Sequence, residues 1–193
     1  MGGDADKPTQ ADSDSNPVDS TPRRVVTAAS LFDGHDAAIN VMRRLIQAAG
    51  AEVIHLGHDR SAQDVVNAII QEDAHAVALS SYQGGHVEYF TYIRQLLDDA
   101  GRDYVKIFGG GGGTITPVEI RDLHEAGITK IYSPDDGRTL GLVGMIDHLM
   151  EQTIDLDLLG GGKLGALFNP LTPNDKGAIA RLITLAENGK AEE

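Results

Sequence analysis

RRVVTAASLFDGHDAAINVMRRLIQAAGAEVIHLG, residues 23–57, carries two hydrophobic periodicities in one short span. Residues 23–30 form a β-rich apolar run. Ala38, Val41, Met42, Leu45, Ile46 and Ala49 then recur three and four apart, the spacing of one helix face. Gly50 stops that helix, and AEVIHLG, residues 51–57, reads as a second strand. Strand, helix and strand in close succession are the signature of a parallel crossover.

The same alternation continues down the chain. SAQDVVNAIIQED (61–73) is a second helix, with Ser61 as N-cap and Asp64 three residues on. AHAVALSS (74–81) is a third strand and HVEYFTYIRQLLDDAG (86–101) a third helix. DYVKIFGG (103–110) is a fourth strand. TPVEIRDLHEAGI (116–128) is a fourth helix, with Thr116 as N-cap and Pro117 at its first position. KIYS (130–133) and TLGLVGMIDHLM (139–150) complete a fifth unit. Five strand–helix units predict an α/β fold, a doubly wound, five-stranded parallel sheet of flavodoxin- or Rossmann-like type. The unalternating apolar strands three and four belong at its centre.

The ends differ from this middle. Residues 1–22 hold five Asp, one Lys and almost no large apolar side chain, and read as a disordered acidic tail. Residues 23–150 form the domain. Residues 151–193 read as a Gly/Pro-punctuated linker with a candidate C-terminal helix in NDKGAIARLITLAENGKAEE, capped near Asn174 or Asp175.

Composition removes whole classes of function. There is no cysteine, hence no disulfide, thiolate metal site or cysteine nucleophile, and a reducing, cytoplasmic setting is expected. The net charge of −13 disfavours nucleic-acid and anionic-membrane partners. No apolar run is long enough to span a bilayer, and the N-terminus lacks the basic and apolar regions of a secretory signal.

Ligands bind open parallel sheets at the carboxyl ends of the strands. The unusual residues fall there: DGHDAA (33–38), SSYQGGH (80–86), GGGGGTITP (109–117) and YSPDDGRT (132–139). Five successive glycines, 109–113, imply that a flat or bulky ligand approaches the backbone closely. His35 gains interest from Asp33, whose carboxylate can accept one ring N–H and so raise the basicity of the other nitrogen. His55 and His58 lack a third metal ligand nearby, and Asp135 and Asp136 read as an exposed turn. No phosphate loop, dinucleotide fingerprint or nucleophile elbow is present. A response-regulator site would want an Asp after strand three, where this chain has Ser80 and Ser81.

Together the loops resemble the cobalamin-binding domain of the adenosylcobalamin mutases and methionine synthase. The shared features are Asp33-Gly34-His35-Asp36-Ala37-Ala38, Ser80-Ser81-Tyr82 and Gly112-Gly113. Ala38 and Tyr82 depart from the family's Gly and Leu. The strings TAASLFDGHDAAIN, GAEVIHLGH, SSYQGGHVEYF and FGGGGG are more similar still to the subgroup of fused isobutyryl-CoA mutases. The resemblance implies that His35 ligates the cobalt of adenosylcobalamin from below, displacing its own base, with Asp33 behind it. It implies a nucleotide tail lying beside Ser80, Tyr82 and the glycines, a pocket end closed by Ser133 and Pro134, and a corrin close to Gly84 and Gly85. The implied partners are a mutase barrel, which binds the acyl-CoA, and a G-protein chaperone domain. Neither lies in this sequence, so the expectation is a separate subunit or a part of a fused mutase. The alternatives are a cobalamin carrier or sensor and a flavodoxin-like protein without cobalamin.

Overall fold

Arg24–Ser30 (β1), Glu52–Arg60 (β2), Ala76–Ser80 (β3), Lys106–Gly110 (β4) and Lys130–Tyr132 (β5) pair in one parallel sheet of order β2-β1-β3-β4-β5. The computed structural model describes residues 22–153 and 175–187. The expected acidic tail up to residue 21, the linker over 154–174 and residues 188–193 lie outside the described residues. Asp36–Ala48 (α1), Ala62–Gln71 (α2), His86–Asp99 (α3), Pro117–Glu125 (α4) and Pro134–Gln152 (α5) are the connecting helices. Because β2 and β3 flank β1 on opposite sides, the winding reverses at β1 and β3. Their carboxyl ends diverge into a crevice.

The strands sort their side chains between two apolar layers. Val26, Val77, Leu79, Ile107 and Ile131 face α2, α3 and α4. Val25, Ala76, Ala78, Phe108 and Tyr132 face α1 and α5. β3 is buried at every residue, as a central strand covered on both faces must be. Ile39 and Ile46 are the buried residues of α1. Val41, expected on the buried face, is instead 49% exposed, because that side of α1 borders a cavity rather than a packed layer.

Local chemistry places the helices. Ser61 and Thr116 form capping boxes with Asp64 and Glu119. A third box, unforeseen in the sequence, starts α5 at Pro134, five residues before the expected Thr139: Ser133 caps, Pro134 takes the first position, and Asp136 bonds back. Asp135 and Asp136 are therefore the first turn of a helix, and the exposed-turn expectation is corrected. Asp136 also accepts a hydrogen bond from Lys130 Nζ at 3.0 Å. Within α5, Gly141 has φ 64° and ψ 177°, a break that a side chain would oppose.

The C-terminal segment contributes Lys176–Glu187 (α6), with Asp175 Oδ1 accepting from Ala178 N at 3.0 Å. α6 lies against α2. Its Arg181 approaches Asp73 at 3.1 Å, both side chains being almost wholly buried. Arg24 reaches Thr184 Oγ1 at 2.7 Å and Glu187 at 2.9 Å. The helix is thus tied to the amino-terminal edge of the sheet, opposite the four loops.

His75 sits at that edge and accepts a hydrogen bond from Arg24 N at 3.0 Å. Burial, only partly offset by Asp73, lowers its pKa to about 4 from 6.5. The unfolded chain then binds a proton that the folded chain refuses. Stability should be complete above about pH 6.5 and should fall as pH drops toward 4, by about 3 kcal/mol from this group. Urea titrations across that window should show the loss, and His75→Gln should flatten it; an unchanged slope in the variant would refute the assignment.

Candidate functional site at the carboxyl edge of the sheet

β1 ends in a tight turn in which Asp33 N donates to Ser30 O at 3.1 Å. The turn carries the Asp33 side chain inward until it is fully buried. A buried carboxylate needs donors on both oxygens, and it has them. Oδ1 accepts from His35 N at 2.9 Å and lies 2.8 Å from His35 Nδ1. Oδ2 accepts from Tyr82 N, on the loop after β3. Burial alone would push the Asp33 carboxyl up. The bonds from Tyr82 and His35 outweigh it and hold the group below the ordinary carboxylate range.

An ionised Asp33 fixes the imidazole. An acceptor-only carboxylate requires the proton on Nδ1, which leaves the lone pair on Nε2. The His35 side chain is 64% exposed, so this lone pair faces outward with a carboxylate behind it. That is the arrangement of a metal-ligating histidine and its orienting carboxylate. Tyr82 lies next to it, ring centroids 5.8 Å apart.

On the far side of Tyr82 from this pair, which does not itself line it, a cavity of about 400 Å³ opens between the sheet and the helices α1 and α5. Of the residues expected at the site, Ser80, Tyr82, Gly112, Ser133 and Pro134 line it. Ser80 is buried, and among the described residues its hydroxyl has no hydrogen-bond partner. In a largely apolar wall a buried hydroxyl of this kind could donate to a ligand acceptor. Gly34 and Asp36 flank His35 in the turn and the first turn of α1. Gly84 and Gly85 stand at the start of α3, and a Cβ at Gly34, Gly84, Gly85 or Gly113 would meet open space. These four do not line the cavity.

Sequence reasoning missed most of its walls. Ile39, Met42, Phe108, Tyr132, Leu142 and Met145 line it, yet nothing in the hydrophobic pattern sets them apart from ordinary core. The usable signal was the start of α5, where Gly137 lines the cavity beside Ser133 and Pro134. The glycine run also has mixed causes. A Cβ at Gly109 would lie 2.5 Å from the Phe90 ring and 2.9 Å from Ile131, and one at Gly111 would overlap the Ser81 carbonyl. The protein's own packing therefore demands glycine at these two positions, where ligand approach alone was expected.

His55 and His58 serve elsewhere. His55 Nδ1 pairs with Thr27 Oγ1 at 2.9 Å, and His58 pairs with its neighbour Asp59. Among the described residues no three His, Asp or Glu side chains gather as a metal cluster.

The chain matches the family model described as "B12 binding domain" over residues 23–160. It is 54% identical over 169 residues to the fused isobutyryl-CoA mutase of Cupriavidus metallidurans, covering 88% of this chain and 15% of that one. It is 37% identical over 118 residues to the 2-hydroxyisobutanoyl-CoA mutase small subunit of Aquincola tertiaricarbonis, covering 61% of this chain and 85% of the relative. The chain thus spans about 15% of the length of the fused relatives it matches. A cobalamin-binding protein from Desulfitobacterium hafniense superposes with a TM-score of 0.56 at 20% identity, over 69% of this chain and 60% of that one, a likeness of fold.

Proposed function

The chain belongs to the B12-binding domain family, and from that premise we propose that it holds adenosylcobalamin with its own base displaced and His35 on the cobalt, as the cofactor-binding part of an acyl-CoA mutase. The observation that carries this reading is the buried Asp33 behind His35, which leaves Nε2 exposed across Tyr82 from a cavity with one hydroxyl unpaired among the described residues. The residues present fit the group. His35 would take the metal, and Asp33 would keep its tautomer and raise its basicity. Ser80 would donate to the buried end of the nucleotide tail, among Ile39, Met42, Phe108 and Met145. Ser133 and Pro134 would bound that end, while Gly112 and Gly113 would border the tail's passage. Tyr82 would stand beside the tail, between His35 and the cavity, while Gly34, Asp36, Gly84 and Gly85 would border the corrin. The bound cofactor supplies a cobalt–carbon bond that cleaves to radicals; the chain's residues bind, orient and exclude water.

The acyl-CoA, of isobutyryl/n-butyryl or methylmalonyl type, would be held by a partner mutase barrel, with a G-protein chaperone domain as the further partner. The fused relatives and the small-subunit relative support a mutase partner. The proposed setting is cytoplasmic, in keeping with a cysteine-free chain. Among the described residues no helix is long and apolar enough to cross a membrane.

Mixing the chain with hydroxocobalamin and desalting the mixture tests the reading. Retention of cobalamin with a base-off, histidine-ligated absorption spectrum is expected; loss of all colour on the column would overturn it. Ser80→Ala should weaken binding about fivefold, the loss of one hydrogen bond, without lowering the thermal midpoint. Retained cobalamin but no turnover after a mutase barrel subunit is supplied would leave a carrier or sensor.

A further inference from the structure

His86 is the first residue of α3, and its side chain is 7% exposed. Nothing in the cofactor reading above uses it. Its Nε2 is fully buried and, among the described residues, makes no well-directed hydrogen bond, yet it stands 3.3 Å from Glu119 Oε1. Its Nδ1 lies 3.5 Å from the Gln83 carbonyl. The ring is therefore held between an acceptor on its own loop and a carboxylate on α4.

Glu119 is engaged twice. Its Oε2 accepts from Thr116 N at 2.8 Å and from Thr116 Oγ1 at 2.7 Å, closing the capping box of α4. The Thr116 hydroxyl and N–H, and then His86, hold the carboxyl below its ordinary range. One carboxylate thus ties the residue that ends the glycine loop to the residue that ends the Tyr82 loop.

Those two loops touch along their length. Ser81 N donates to Gly110 O at 2.9 Å, and a Cβ at Gly112 would come within 3.3 Å of the Tyr82 ring. At its other end the Tyr82 loop reaches the first loop, through the bond from Tyr82 N to Asp33. A continuous polar line runs from His35 through Asp33 and Tyr82 to the loop that His86 anchors on Glu119.

We propose that His86 is a positioning residue for cobalamin: by clasping Glu119 it fixes the Tyr82–Gly85 loop at the position where Tyr82 N–H meets Asp33, and so sets how firmly His35 is presented to cobalt. The inference rests on the cobalamin reading. An apolar replacement of similar volume would fill the space but release the loop from α4. Gln, which can donate to Glu119 in place of Nε2, should restore the clasp in part.

The test uses the full chain, hydroxocobalamin, and the variants His86→Leu, His86→Gln and Glu119→Gln. Glu119→Gln keeps a capping-box residue and removes the charge facing His86. His86→Leu should weaken cobalamin binding about tenfold and lower the fraction of histidine-ligated cobalamin at saturation. His86→Gln should recover most of both. His86→Leu combined with Glu119→Gln should be no worse than His86→Leu alone. Thermal midpoints of the cobalamin-free chains serve as the control for folding. Wild-type affinity and spectrum in a folded His86→Leu chain would overturn the inference, as would losses in both His86 variants that follow only their midpoints. Failure of the wild-type chain to bind would instead overturn the cobalamin reading itself.

Discussion

His35→Ala is expected to abolish the histidine-ligated spectrum of bound cobalamin and to weaken binding by about 100-fold or more. Changes to the residue behind a metal ligand already reduce affinity 10–100-fold, so loss of the ligand itself belongs at or beyond the upper end. The folded chain should hardly notice. The His35 side chain is 64% exposed, and its removal leaves Asp33 with the N–H groups of residues 35 and 82. Asp33→Asn should fall between wild type and His35→Ala. It keeps an acceptor for the backbone but turns an amide N–H₂ toward one of the groups that Asp33 now accepts from. Absorption spectra and equilibrium binding of hydroxocobalamin, with thermal melts of the unliganded chains, measure all three quantities. A His35→Ala chain with the wild-type spectrum would remove the central claim.

Gly111→Ala is expected to be the most destabilising small substitution at the site, by about 4 kcal/mol or more. Gly111 is buried, and its missing side chain points at the Ser81 carbonyl, with Ile115 close behind. Neither neighbour is a free side-chain end that could swing away. Ser81 is held by its own N–H on Gly110 O and by its hydroxyl, which pairs with Ser30 Oγ at 2.9 Å. An added methyl must therefore push apart the segments that follow β3 and β4. Gly113→Ala is the contrast: a Cβ there meets nothing within 4 Å, and its φ is not in the left-handed region. Its stability should change by less than about 1 kcal/mol. Thermal and urea denaturation of the two variants side by side decide the matter. Equal midpoints would mean that the glycine run answers only to a ligand.

That contrast shows how a sequence can be read correctly in outline and wrongly in cause. Five adjacent glycines at a strand end announce an unusual loop. Which of them yields to a ligand and which to Phe90 or Ser81 depends on atoms twenty or thirty residues away in sequence. The start of α5 shows the opposite failure. Ser133, Pro134 and Asp136 form the same local cap pattern that located α2 and α4, so the signal was present in the chain. The acidic pair simply looked like a turn.

By itself the sequence determined the alternation of strands and helices, with the Ser61 capping box and the Thr116 N-cap, and hence the parallel sheet with its loops at one edge. Those are local matters of periodicity, turn chemistry and capping. It also brought Asp33 and His35 forward as a pair, because a carboxylate two residues away in one turn can reach back to the ring, as it does here. The tertiary structure alone decided that Tyr82 N–H completes the Asp33 carboxylate, that Ser80 is left unpaired among the described residues in a cavity walled by α1 and α5, and that His86 meets Glu119. The Tyr82–Asp33 and His86–Glu119 contacts join segments that follow different strands. Only the strand order and register bring them together, since the hydrophobic pattern tells a side chain to be buried without telling it what it will be buried against.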